Sequence, residues 1–282
     1  MAAWDELDNL DPHDAITYVA HGDACLKKGD LDRAIANYTE ALNLDPNFSI
    51  AYCYRGIVYF EKDDFDIAIA NYNQAIKLNP HDASFYINRG LAYAAKGDYR
   101  RACADYNKAL KLDANDAVPY IARGHIYQKR GDFDRAIADY TQALSLEPNL
   151  AIAYKARGDM YQKKGDYDCA VADYTQAVNF DPNYTQAYSN RGFVYTAKAD
   201  YDLAIADFTE ALKFDPNNAD IYANRGDAYQ KKGDYDHAIA DYTQAVTLDP
   251  SFLQAYYNRG TVYAAKSKKD YVQAIKLAAC RK

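Results

Sequence analysis

Within residues 151–184, apolar side chains fall three and four positions apart, first over AIAYKARGDMYQKK and then over YDCAVADYTQAV. That spacing places them on one helix face and predicts two helices, one ending about Lys164 and the next starting about Tyr167. Gly165 tolerates the left-handed conformation that ends a helix, and Asp166 can cap the one that follows. Pro182 stops the second helix and suits the next turn. The product is an antiparallel helix pair.

The pair is repeated. Gly22, Gly56, Gly90, Gly124, Gly158, Gly192, Gly226 and Gly260 are 34 residues apart throughout. Tyrosine recurs in the same register from Tyr18 to Tyr256 and from Tyr59 to Tyr263. A third aromatic column runs through Tyr38, Tyr72, Tyr106, Tyr140, Tyr174, Phe208 and Tyr242. Alanine columns run from Ala34 to Ala238 and from Ala41 to Ala245. A glycine inside a helix costs roughly 1 kcal/mol against alanine, so its recurrence predicts a close approach by the neighbouring helix. Ala170 and Ala177 are the expected small surfaces there, with the tyrosines filling gaps between successive pairs. Residues 157–178 and 225–246 match at 19 of 22 positions, as duplication of a two-repeat block would leave them. Stacked units tolerate such duplication because stability is nearly a sum over units and interfaces.

This order of aromatic, Gly, Tyr, two Ala and Pro resembles the tetratricopeptide repeat (TPR) family. Eight units can be laid out, 15–48, 49–82, 83–116, 117–150, 151–184, 185–218, 219–252 and 253–282, after a partial repeat in 1–14 where Trp4, Leu7, Leu10 and Pro12 align with Tyr38, Ala41, Leu44 and Pro46. The resemblance implies an all-α, right-handed superhelical solenoid whose first helices line a concave groove. Two departures stand out. Ala114 replaces a proline, and unit eight carries two extra residues in AAKSKKDYVQAIK, with Arg281 where an alanine belongs. A second helix through Lys282 with no solvating helix beyond it is the expectation there, and with it self-association through that end.

Composition narrows the function classes. A net charge of −7 over 282 residues argues against a phosphate-backbone binder. No apolar run approaches the ~20 residues of a membrane span. The acidic start lacks the layout of a signal peptide. Cys25, Cys53, Cys103, Cys169 and Cys280 are odd in number and never form a C-x-x-C pair, which predicts reduced thiols in a cytoplasmic protein and neither disulfide framework nor zinc site.

Arginine precedes the glycine in seven units, from Arg55 to Arg259, and sixteen residues on stands Asp105, Asp139, Asp173, Asp207 or Asp241. Where His21 replaces the arginine, Asn37 replaces the acid. The pattern predicts an ion-pair ladder between paired helices, with Arg55 facing Asn71 as its weak rung. A phosphate-binding arginine row is the rival, disfavoured by the matched acids.

At the groove positions implied by the resemblance, the first four units carry Ile16, Val19, Ile50, Cys53, Ile57, Phe60, Ile87, Leu91, Val118 and Ile121. Units five to seven carry Lys155, Asp159, Gln162, Gln186, Ser189, Asp220, Asp227 and Gln230. The apolar set is either packing between first helices or an exposed binding patch. Asn88, Asn190, Asn224 and Asn258 offer amides that match a peptide bond. Relatives such as the repeat arm of O-linked N-acetylglucosamine transferases hold an extended peptide with such a row; local hydrogen bonding between units is the alternative. The carboxylate clamp of chaperone-binding relatives is not expected, because Asp159, Asp220 and Asn224 stand where Asn, Lys and Arg belong. No phosphate loop, nucleophile–base pair or metal cluster appears, and His125 reads as a solvated groove residue. These readings predict a non-enzymatic, cofactor-free interaction scaffold that takes a peptide or helix. A recruiting arm of a larger enzyme and an end-to-end assembling scaffold are the other classes.

Overall fold

The computed structural model describes residues 14–279, with side chains up to Lys268. The aligned positions of the partial first repeat, together with Cys280 and Arg281, lie outside the described residues. Fourteen helices form seven pairs: α1 Ala15–Lys27 with α2 Leu31–Leu44, α3 Ser49–Glu61 with α4 Phe65–Leu78, α5 Ala83–Ala95 with α6 Tyr99–Leu112, α7 Ala117–Lys129 with α8 Phe133–Leu146, α9 Ala151–Lys164 with α10 Tyr167–Phe180, α11 Thr185–Ala197 with α12 Tyr201–Phe214, and α13 Ala219–Lys232 with α14 Tyr235–Leu248. A fifteenth, α15, runs Leu253–Ala279. The described fold is all-α, a solenoid of stacked helix pairs. It divides into two compact units, Met1–Glu147 and Pro148–Lys282. Within each unit, first helices of successive repeats touch, α1 to α3 to α5 to α7 in one and α9 to α11 to α13 to α15 in the other.

The turns follow the local chemistry read from the sequence. Gly165 ends α9 at φ 79°, and Asp166 accepts the Cys169 N–H to cap α10. Gly29, Gly97, Gly131 and Gly233 do likewise, beside the caps Asp30, Asp98, Asp132 and Asp234. Two turns lack the glycine, and Asp63 and Ala199 adopt φ 61° and 65°. In those same two turns Asp64 and Asp200 make no side-chain cap hydrogen bond. Asp113 leaves α6 in an extended conformation although Ala114 follows in place of proline, so that helix end does not depend on the proline.

The helix glycines serve a different neighbour from the one expected. A Cβ on Gly158 would lie 2.8 Å from Cε1 of Tyr174, and one on Gly90 2.6 Å from Cε1 of Tyr106. The glycine therefore makes room for the aromatic ring of its own pair. Ala170 and Ala177 flank that ring one turn either side on α10, and all three are fully buried. This aromatic column sits inside each pair and also packs against the next one, as Tyr106 does in a cluster with Ile126 and Tyr174 in one with Val194, so it fills the gap between pairs as well.

The eighth unit also departs from expectation. Residues 253–279 form one continuous helix where the sequence pattern predicts two. The other turns have glycine or a left-handed residue followed by an aspartate; here Ser267 and Lys268 stand at those positions, and neither halts a helix. Among the described residues, a Cβ on Gly260 would meet nothing within 4 Å, whereas the seven other helix glycines face a ring.

Candidate functional site: the face of the first helices

The arginine column lies between the two helices of a pair. Arg157 Nε and Nη2 donate to Asp173 Oδ2 and Oδ1 at 2.8 and 2.7 Å, and Arg89 meets Asp105 at 2.8 and 2.7 Å. Arg123, Arg191 and Arg225 hold Asp139, Asp207 and Asp241 through the same fork. Each guanidinium also lies over the tyrosine three residues before it, as Arg157 does over Tyr154 at 5.6 Å. A further N–H reaches the preceding repeat, from Arg191 to Thr175 at 2.9 Å and from Arg225 to Thr209 at 3.0 Å. Such forked, half-buried pairs are structural and keep their arginines from a phosphate. Hydrogen bonding to Asp105 pushes the Arg89 pKa up. In the weak rung, Arg55 donates to Asn71 Oδ1 at 2.9 Å, and burial pulls its pKa down.

In the first unit the first-helix face is largely apolar and unevenly open, although in its first repeat Asp23 accepts the Tyr38 hydroxyl at 2.5 Å. Ile16, Ile50 and Val118 are exposed, at 62, 43 and 47 %. Ile57, Phe60, Leu91 and Ile121 are half-buried. Val19, Cys53 and Ile87 are buried. Cys53 receives the Asn88 amide at 3.4 Å, and burial pushes its thiol up to about 12. Ile57 and Phe60 pack against Tyr72, Ala75 and Phe85, so the apolar set combines inter-repeat packing with an exposed rim.

In the second unit the equivalent positions form hydrogen-bonded clusters. Asp159 accepts from Lys155 Nζ at 2.8 Å, from the Tyr174 hydroxyl at 2.9 Å and from Asn190 Nδ2 at 2.9 Å. Asp227 accepts from the Tyr242 hydroxyl at 2.5 Å and from Asn258 Nδ2 at 3.0 Å. The side-chain amides of Gln162 and Gln230 lie 2.6 and 2.8 Å from the same two hydroxyl oxygens. Burial first, then these carboxylates, push both tyrosine pKa values up. Asn190 and Asn258 thus bridge neighbouring repeats. Asn224 has Phe193 at the position corresponding to Asp159, and its side chain makes no hydrogen bond among the described residues. Asp220 is exposed.

The sequence pattern alone does not mark the tyrosine hydroxyls as part of this face. A partial signal exists, since Phe193 stands in the column of Asp23, Asp159 and Asp227 and its partner is Phe208, the one ring in the aromatic column without a hydroxyl. Ile57 with Tyr72, Leu91 with Tyr106 and His125 with Tyr140 break the rule. His125 is half-buried, edge-on to Tyr140 at 5.6 Å. Among the described residues there is no group of His, Cys, Asp and Glu that could hold a metal ion, and no helix is long and apolar enough to cross a membrane.

A family model described as TPR repeat matches seven overlapping stretches: 22–63, 58–97, 90–131, 124–165, 158–198, 194–233 and 226–267. The chain belongs to the TPR family. Membership makes it, in general terms, a protein-interaction scaffold. Among solved structures, this TPR chain is similar to YrrB, "a TPR protein with an unusual peptide-binding site", at 25 % identity and TM-score 0.61, over 67 % of this chain and 97 % of that one. It is similar to MamA at 28 % identity and TM-score 0.53, over 57 % and 94 %. The C-terminal part of a TPR protein from Cytophaga hutchinsonii shares the fold at TM-score 0.70 and 18 % identity, over 85 % and 98 %. No curated protein matches the chain.

Proposed function

We propose that this TPR array is a non-enzymatic scaffold that takes a peptide or helix along the face of its first helices, without a cofactor and in the reducing cytoplasm that its free thiols suit. The observation that carries the reading is the exposed rim of Ile16, Ile50 and Val118 above the half-buried Ile57, Phe60, Leu91 and Ile121. One apolar anchor buried on that rim contributes about 1.5–3 kcal/mol. In the second unit, Asn224 with its amide open is the position suited to a peptide backbone, and Asp220 with Asp227 favours basic side chains. Asn190 and Asn258 already donate within the array and support the reading less. The similarity to YrrB, whose peptide-binding site is named as such, supports a peptide as the ligand class.

The test compares partners captured from native lysate by wild type and by Ile50→Glu/Val118→Glu. Both positions are exposed, so helicity by circular dichroism should be unchanged. Loss of a partner with the double variant alone supports recognition on this face. A partner set indifferent to it refutes an apolar rim as the binding surface.

A further inference from the structure

A second ladder runs over the surface where one repeat meets the next. Lys62, Lys96, Lys198, Lys232 and Lys266, at or near the bend after a first helix, each pair with an aspartate in the first turn of the preceding repeat's second helix: Asp32, Asp66, Asp168, Asp202 and Asp236. The contacts are close, 2.6 Å for Lys62–Asp32 and 2.5 Å for Lys232–Asp202. Between α6 and α7 the same two positions hold Arg100 and Arg130. The fold thus presents two like charges at positions that elsewhere touch as opposite charges.

Both arginines are exposed, and neither has an ion-pair partner among the described residues. They line a cleft of ≈ 580 Å³ with Lys96, Gly97, Asp98 and Tyr99. The neighbouring carboxylates are engaged: Asp98 caps α6 and holds Arg101 at 2.5 Å, and Asp66 holds Lys96. Lys129 adds a further cation, over the Tyr99 ring at 5.8 Å. A basic site therefore stands on a chain whose net charge is −7.

We propose that this cleft binds a phosphoryl dianion, inorganic phosphate or a phosphate monoester, through Arg100 and Arg130. Two guanidinium forks repel until an anion lies between them, and each fork matches two oxygens of a phosphoryl group. A carboxylate offsets one of the charges, whereas a phosphate monoester, at about −1.5 to −2 near neutral pH, offsets both. The phosphoryl group comes either from free phosphate or from a phosphorylated side chain of a protein partner.

The experiment titrates the full chain with inorganic phosphate, with a short phosphoserine peptide and with its glutamate counterpart, following the arginine Nε–Hε NMR signals. Saturable shifts of Arg100 and Arg130 together are expected. Arg100→Asp/Arg130→Lys restores the ion pair of the other junctions, so it should keep the fold and abolish the saturable shifts of the Gly97 and Tyr99 backbone amides, which line the cleft and are followed in both proteins. Arg130→Ala should weaken binding by roughly tenfold or more, the loss of one charged hydrogen-bonding group. Tighter binding of inorganic phosphate assigns the site to the free ion, and tighter binding of the phosphopeptide assigns it to a modified partner; each supports the site. Absence of saturable shifts at both arginines in the wild type, Gly97 and Tyr99 amide shifts that survive in the double variant, or equal affinity for the glutamate peptide would overturn the proposal.

Discussion

In the first unit, Ile57 and Leu91 stand over the buried rings of Tyr72 and Tyr106; in the second, Asp159 and Asp227 stand at the same helical position and accept the hydroxyls of Tyr174 and Tyr242. Both solutions leave the ring at most 1 % exposed and seated against a glycine. The face can therefore change from apolar to charged while the pair beneath it keeps its packing. This separation is what lets a repeat array vary its ligand chemistry without altering its stability element by element. The arginine fork has the same geometry wherever its acid is present, at Arg89 and Arg123 in the first unit and at Arg157, Arg191 and Arg225 in the second, and belongs to the part held constant.

The comparison can be broken most forcefully at that fork. Asp139→Ala in the first unit and Asp173→Ala in the second each strand a half-buried guanidinium. Each should lower stability by about 3–5 kcal/mol, read from urea unfolding. Strongly unequal losses would show that the ladder is not a shared element. The glycine seat comes next, because it is tighter in the first unit. A Cβ at Gly90 meets Tyr106 at 2.6 Å and one at Gly226 meets Tyr242 at 3.0 Å. Gly90→Ala should destabilise by about 1–3 kcal/mol through overpacking, whereas at Gly226 a helix gain of roughly 1 kcal/mol offsets most of the strain. Equal midpoint shifts for the two variants would remove the difference.

Smaller effects sharpen the picture. Asn71→Asp should convert the weak rung into a fork and raise stability by about 1 kcal/mol, with the midpoint of urea unfolding as the readout. No gain would mean that desolvating the new carboxylate outweighs the pair. Ala199→Gly should add about 1 kcal/mol by relieving a left-handed alanine, seen as slower amide exchange in α11 and α12. Asp63→Gly should gain less, since aspartate enters that conformation more readily.

Much of the fold was legible because it is written in local, repeated signals. The 34-residue glycine spacing, the apolar period, Gly165 and Asp166 each act within a few residues, and repetition made them unambiguous. The arginine ladder was legible for a related reason: His21 with Asn37 breaks both columns together. The face was harder. Which of its apolar residues are open, Ile50 at 43 % against Cys53 at 4 %, depends on the tilt of one first helix against the next. The asparagine row is uniform in sequence, yet Asn190 and Asn258 donate to acids of the preceding repeat while the residue at that position for Asn224 is Phe193, which offers no acceptor; the distinction is set by a residue 31 positions away.

By itself the sequence determined the helix pairs, their turns, the repeat length and the pairing of arginine with aspartate, because each rests on short-range geometry or on two columns in fixed register. Only the tertiary structure decided that the helix glycine receives an aromatic ring and not an alanine, that residues 253–279 run on as one helix, and that tyrosine hydroxyls tie into the first-helix face. It also set Arg100 against Arg130 at the positions where five other junctions join lysine to aspartate. Those outcomes depend on how closely two helices approach and on which side chains then meet, and spacing along the chain does not specify either.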